Sequence, residues 1–167
     1  MSNIILFGSS GHLGFNVAKK LLTDKHSVIC LVRKKNLYTH ILENLGCAVE
    51  IIDFNNLINI IKFNKKFIII NTAAKNEQSQ NKYHNNTDLK LLKNILKFSD
   101  NNNISKFIHV GSSVIYSRNT DMSLINENSK KNYFENDYTK RKIECDNYLL
   151  KYQKKNLKKI IIRINPS

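Results

Sequence analysis

The chain has 167 residues, one domain's length by the usual prior, and its 41% hydrophobic and 24% charged residues are the balance of an ordinary soluble globule. These values exclude collagen-like, mucin-like and wholly disordered chains, and no apolar run approaches the roughly 18 residues of a membrane span. The net charge of +14 invites a nucleic-acid reading, but 23 of the cations are Lys spread along the chain, and the accompanying 25 Asn and 22 Ile mark a compositional bias rather than a basic stripe.

In chain order, strand-length apolar runs alternate with segments of helical period. Asn3–Phe7 reads as a buried strand, followed by a glycine-rich turn and a helix with Leu13, Val17, Leu21 and Leu22 at helical spacing. Ser27–Val32 is a second strand, and Leu37–Leu45 a helix stopped by Gly46, a residue suited to a helix C-terminus. Ala48–Ile52 is the third strand, Asn56–Phe63 a short helix and Phe67–Asn71 the fourth strand. A longer helix spans Asn86–Phe98 and ends in the Asn-rich loop Asp100–Asn103. Lys106–Gly111 is strand five, Tyr138–Tyr152 a helix and Lys159–Ile164 strand six. Ser117–Asn136 is the one long irregular stretch, and loops of that length are usually functional or mobile.

Apolar strands alternating with helices predict an α/β fold: a doubly wound parallel sheet of six strands, covered on both faces. No linker or internal repeat divides it, so residues 1–167 are expected to form one domain. Cys30, Cys47 and Cys145 are widely spaced with no CxxC pair, and the N-terminus lacks a basic segment ahead of an apolar one. Reduced thiols in a cytoplasmic protein are the expectation. The histidines have no metal-ligand spacing, so no metal site is expected.

Gly8, Gly11 and Gly14 follow the first strand and open the first helix, with Ser10, His12 and Leu13 between them. Such a loop lets backbone N–H groups approach a pyrophosphate at a helix N-terminus, which points to a dinucleotide. Where NAD-binding chains place a carboxylate after strand two, this sequence has Arg33, Lys34 and Lys35. These cations suit the 2′-phosphate of NADP and favour NADP over NAD, the alternative being a solvated basic loop. Asp53, before Phe54, is placed to accept from an adenine amino group, the alternative being a turn residue.

Tyr138 and Lys142 are four residues apart and share a helical face, where an ammonium favours the phenolate needed for proton exchange. Ser112 ends strand five, at the carboxyl edge where doubly wound sheets bind ligands.

The glycine loop, Asp53, Asn71-Thr72-Ala73-Ala74, Asn85-Asn86, Ser112 with Tyr116, Tyr138/Lys142 and the final Ile161–Pro166 stand in register. In that order they resemble the extended short-chain dehydrogenase/reductases, specifically the NAD(P)-dependent epimerase/dehydratase family of UDP-galactose 4-epimerase and sugar-nucleotide reductase type. The resemblance covers nearly the whole chain and implies a Rossmann fold. It makes Tyr138 the acid/base, has Lys142 support it and hold the nicotinamide ribose, and has Ser112 orient the substrate. Gly8, Ser10, Gly11, His12, Leu13, Gly14, Arg33, Asp53, Phe54, Thr72, Ala73, Ala74 and Asn86 join Tyr138 and Lys142 in holding the cofactor. His12 stands where the family is usually apolar or aromatic, and Ser113 and Val114 where its 4,6-dehydratases carry an Asp-Glu pair, so dehydration is disfavoured.

The resemblance further implies a nucleotide-sugar substrate and a homodimer, with no nucleic acid or membrane partner. Family members continue beyond the sixth strand, so the chain is expected to lack the C-terminal substrate-binding part. The expected function is an NAD(P)-dependent oxidoreductase or epimerase. The alternatives are a non-catalytic dinucleotide-binding module and a reductase of a small non-sugar metabolite.

Overall fold

In the computed structural model, which describes residues 1–57, 65–74, 86–116, 125–132 and 137–165, the first strand is the pivot of the sheet. β1 (Asn3–Phe7) is buried over its last four residues and pairs in parallel with β2 (Ser27–Val32) on one side and β4 (Phe67–Asn71) on the other. β3 (Ala48–Ile51), β5 (Ile104–Ser112) and β6 (Lys158–Ile164) complete a six-stranded sheet in the order β3-β2-β1-β4-β5-β6, every pairing parallel. This is the expected doubly wound Rossmann order, in which the order of successive strands switches direction between β1 and β4. Phe7 lies opposite both Leu31 and Asn71, and Asn71 opposite His109. The carboxyl ends of β1, β2, β4 and β5 therefore meet at one edge, and a crevice opens there.

Alternation along the strands sends side chains to two cores. Ile5, Phe7, Ile69 and Phe107 pack with Leu92, Leu96 and Leu149 from helices α3 (Thr87–Asp100) and α4 (Asp137–Lys151). Leu6, Val28 and Cys30 face the other way, toward Ala18 of α1 (His12–Thr23), Leu42 of α2 (Leu37–Asn44) and Cys47 before β3. All three cysteines are free and buried. Among the described residues no helix is long and apolar enough to cross a membrane.

The element boundaries depart from the sequence reading in physically explicable ways. Asp100 is the last residue of α3 rather than loop, and β5 begins at Ile104, whose burial draws it into the sheet. Gly46 adopts a φ of 87°, the left-handed turn expected after α2. Of the expected helix Asn56–Phe63 only 56–57 lie within the described residues, and of Ser117–Asn136 only 125–132, where Lys131 bridges antiparallel to Tyr116. Asn85 and Pro166 fall outside the described residues.

Candidate functional site

The loop after β1 is shaped by three glycines with different tasks. Gly8 has a φ of 92°, and a Cβ there would lie 2.6 Å from both Ala73 N and Thr72 Oγ1. Thr72 in turn donates from Oγ1 to the Phe7 carbonyl at 2.8 Å, tying the ends of β1 and β4. A Cβ on Gly14 would lie 2.2 Å from Gly8 O, so the first turn of α1 can pack on the loop only without a side chain. Gly11 is different: its Cβ would meet only Gly8 O at 3.5 Å. It is the N-cap of α1, no side chain caps that helix, and its first turn holds no acid. The leading N–H groups of α1 are thus left for an anion, and Gly11 leaves room for its approach.

A cleft of about 560 Å³ opens at this point. Among the expected residues, Gly8, Ser10, Gly11, Arg33, Phe54, Thr72, Ala73 and Ala74 line it. His12, Leu13, Gly14, Asp53, Asn86, Ser112, Tyr138 and Lys142 do not. His12 and Leu13 are exposed in the first turn of α1, so His12 is a helix residue rather than part of the loop. Exposed Asp53 accepts from Asn55 N at 2.9 Å, which makes it a turn-forming residue in the unliganded chain. Asn86 caps α3, accepting from Leu89 N at 2.9 Å and donating to Arg141 O at 3.2 Å, so it fastens α3 to α4.

Of the three cations after β2, Arg33 lines the cleft, and Lys35 pairs with Glu43 of α2, whose carboxyl it holds below the usual range. Asn36 couples this segment to the glycine loop. It completes a capping box with Thr39 and also donates to Ser10 O at 2.9 Å.

At the other side of the crevice, Ser112 is buried at the end of β5, its hydroxyl accepting weakly from Val114 N at 3.4 Å. α4 packs against β5 and against the short 3₁₀ turn Ser113–Ile115 that follows Ser112. Lys142 Nζ sits 5.4 Å from the Tyr138 ring centroid, confirming the shared face. Its charge is met by Asp88 at 3.2 Å, and both side chains are nearly buried, 5% and 6% exposed. Asp88 itself lines the cleft, and Lys142 stands behind it.

Beneath the pair, buried His109 meets Asn71 at 3.2 Å. Asn71 Oδ1 already accepts from Ala73 N at 3.1 Å, so its amide group donates to His109 Nδ1 and the imidazole proton resides on Nε2. Burial, with Lys142 reinforcing and Asp88 opposing, holds the His109 pKa down to about 4. An unfolded histidine titrates near 6.5, so as pH falls from about 6.5 to about 4 the unfolded chain gains the proton first and stability drops. We expect a loss of about 3 kcal/mol across that window, levelling off below it. Urea unfolding from pH 7 to 4 checks this. His109→Gln should flatten the slope, whereas an unchanged slope assigns it to other groups.

A second buried group braces the same helix. Asp146, one turn beyond Lys142, accepts from Arg163 Nε of β6 at 2.8 Å, and Arg163 donates to Tyr116 Oη at 2.6 Å. Burial raises the Asp146 carboxyl, with the Arg163 hydrogen bond opposing. A Cβ on Gly111 would come within 3.0 Å of Asp146 Oδ1, so this glycine admits the carboxylate against β5.

The sequence matches the NAD dependent epimerase/dehydratase family over residues 4–166. It belongs to this family. Solved structures agree on the fold. UDP-N-acetylglucosamine 4-epimerase from Bacillus cereus superposes with a TM-score of 0.76 at 22% identity, over 98% of this chain and 53% of that one. UDP-glucuronic acid 4-epimerase from Bacillus cereus, solved with UDP-glucuronic acid and NAD, gives 0.72 at 18% identity over 96% and 55%. Vestitone reductase from alfalfa gives 0.74 at 19% identity over 98% and 56%. The chain thus spans about half the length of these epimerase and reductase structures. The comparison with curated proteins gives no match.

For this epimerase/dehydratase family member, sequence reasoning missed Asn55, Thr87, Asp88, Lys90, Leu91 and Asn94 in the cleft wall. Asn94 carried no signal, since its helical neighbours Lys90, Leu91, Lys97 and Phe98 mix charged and apolar residues. It donates to Phe54 O at 2.9 Å and holds the β3 loop against α3.

Proposed function

We propose that the chain binds a nicotinamide dinucleotide in this cleft and serves as an oxidoreductase or epimerase acting on a nucleotide-linked sugar. The observation that carries the proposal is the side-chain-free N-terminus of α1 at Gly11, opening into a cleft whose far wall adjoins Lys142 and Tyr138. Gly8, Gly11 and the first N–H groups of α1 suit the pyrophosphate. Arg33, Phe54 and Asn55 suit the adenosine end, and Thr72, Ala73 and Ala74 line the middle. The bound dinucleotide supplies hydride chemistry at a sugar carbon.

The chain's own residues handle the proton. Tyr138 exchanges it with the substrate hydroxyl oxygen, Ser112 orients that oxygen, and Lys142 stands over the Tyr138 ring. Asp88 pairs with Lys142 and holds its side chain in place. A homodimer through α3 and α4 belongs to the same proposal, consistent with Leu150 of α4 standing 56% exposed.

Cofactor choice follows from Arg33, the one cation of its segment that reaches the cleft. A guanidinium there suits the additional phosphate of NADP, so NADPH should bind more tightly than NADH. Arg33→Asp should narrow or invert the difference, because a carboxylate repels phosphate and accepts from a ribose hydroxyl. Titration of both dinucleotides into both proteins decides the matter. Equal affinities unaffected by the substitution would return Arg33 to a solvated loop.

A further inference from the structure

Cys30 and Cys47 are 17 residues apart in sequence, yet their sulfurs lie 3.3 Å from each other. Cys30 pairs with Val49 across the β2–β3 register, and Cys47, two residues before Val49, falls on the same side by the strand period. Both are buried, 0% and 5% exposed, in the small core beneath α1 and α2. Cys47 keeps its small remaining exposure beside the exposed turn residue Gly46.

The two thiols are not equivalent. Cys47 donates to the Val28 carbonyl at 3.3 Å and keeps its proton, pushed up first by its contact with Cys30 and then by burial. The same contact holds the Cys30 thiol below its ordinary range, against the effect of burial. Cys30 is therefore the nucleophilic sulfur and Cys47 the resolving one. Cys145 lies in the other core, where burial raises its thiol to about 12, so it is inert by comparison.

We propose that Cys30 and Cys47 form a reversible disulfide on meeting a small peroxide, and that this bond weakens dinucleotide binding. The Cys30 thiolate attacks one peroxide oxygen, the O–O bond breaks, and the departing hydroxide takes up the proton Cys30 had released, giving water and a sulfenic acid. The Cys47 sulfur then attacks the Cys30 sulfur. The S–O bond breaks, and the Cys47 proton leaves with the hydroxyl as a second water. Both thiols together lose two electrons, and the peroxide gains them. A disulfide is about 2.05 Å long, so the sulfurs must close by little more than about 1 Å.

That movement bears on the cleft, and this second half rests on the dinucleotide reading. Cys30 is followed directly by Leu31, Val32 and Arg33 of the cleft wall and lies opposite Leu6 of β1. Ser9, between Gly8 and Ser10, is fully buried. Drawing Cys30 toward Cys47 shifts the strand that leads into Arg33 and lies against β1 just before the glycine loop.

The test treats the full chain with equimolar hydrogen peroxide and reads intact mass, linked peptides and NADPH and NADH affinity. The expected result is loss of two hydrogen masses, a Cys30–Cys47 peptide, restoration by dithiothreitol, and a several-fold fall in affinity. Cys47→Ala should abolish the loss of two hydrogen masses and leave Cys30 oxygenated instead, and Cys30→Ser, the second variant should the first fold poorly, should abolish the two-hydrogen loss as well. Oxygen addition without hydrogen loss, or a link through Cys145, overturns the disulfide. An unchanged affinity in the oxidised form overturns its link to the cleft. A reduced chain that binds neither dinucleotide refutes the cleft reading itself, and the mass measurement still decides the disulfide independently.

Discussion

Tyr138→Phe is expected to lower turnover roughly 10²–10⁴-fold while leaving the fold and dinucleotide affinity unchanged. The substitution removes one hydroxyl from a half-buried ring, and that ring still covers Lys142 at 5.4 Å to its centroid. No described hydrogen bond of the fold depends on the lost oxygen, so its absence falls on proton exchange alone. The assay is turnover of a panel of nucleotide-linked sugars with NADPH or NADH, alongside thermal unfolding of both proteins. Wild-type turnover in the variant would remove Tyr138 from the chemistry. A wild type that binds dinucleotide but converts nothing on the panel would favour the binding-module alternative.

Asp88→Ala should be the most destabilising single change in the site. Asp88 and Lys142 face each other at 3.2 Å, both almost wholly removed from water. Removing the carboxylate leaves a buried ammonium without its counter-ion, a situation that costs roughly 3–5 kcal/mol. Lys142→Ala removes the same ion pair from the other side and should also destabilise the chain. Its effect on turnover therefore mixes chemistry with stability, and Tyr138→Phe is the cleaner probe of the relay. The double variant Asp88→Ala/Lys142→Ala should cost clearly less than the two single losses combined, since neither charge is then buried alone. Denaturant unfolding of the four proteins measures the coupling. A cost for Asp88→Ala below about 1 kcal/mol would place the pair with solvated surface bridges and contradict its role in the wall.

The sheet and glycine loop were legible because their signals are local. β1 is an unbroken apolar run, and Gly8, Gly11 and Gly14 follow it at once, so strand, turn and helix specify one another over a dozen residues. Tyr138 and Lys142 were legible for the same reason, since helical geometry alone puts them on one face. Asp88 was not. An acid in the first turn of a helix ordinarily complements the dipole at the surface, and its burial here depends on α4 packing across α3. The pairing of Lys35 was hidden because its partner, Glu43, comes eight residues later and meets it only once α2 has folded back. Cys30 and Cys47 looked unrelated, because their approach requires β2 and β3 to pair. What the sequence concealed is the set of contacts made between elements, and those are the contacts that set charge and reactivity in this fold.

The central claim is that the crevice between Gly11 and Arg33 holds a nicotinamide dinucleotide. Calorimetric titration of NADPH and NADH into the wild-type chain tests it most directly. Saturable binding at one site per chain is expected, tighter for NADPH and competed by either dinucleotide. No saturable heat with either, from a chain shown to be folded, would contradict it.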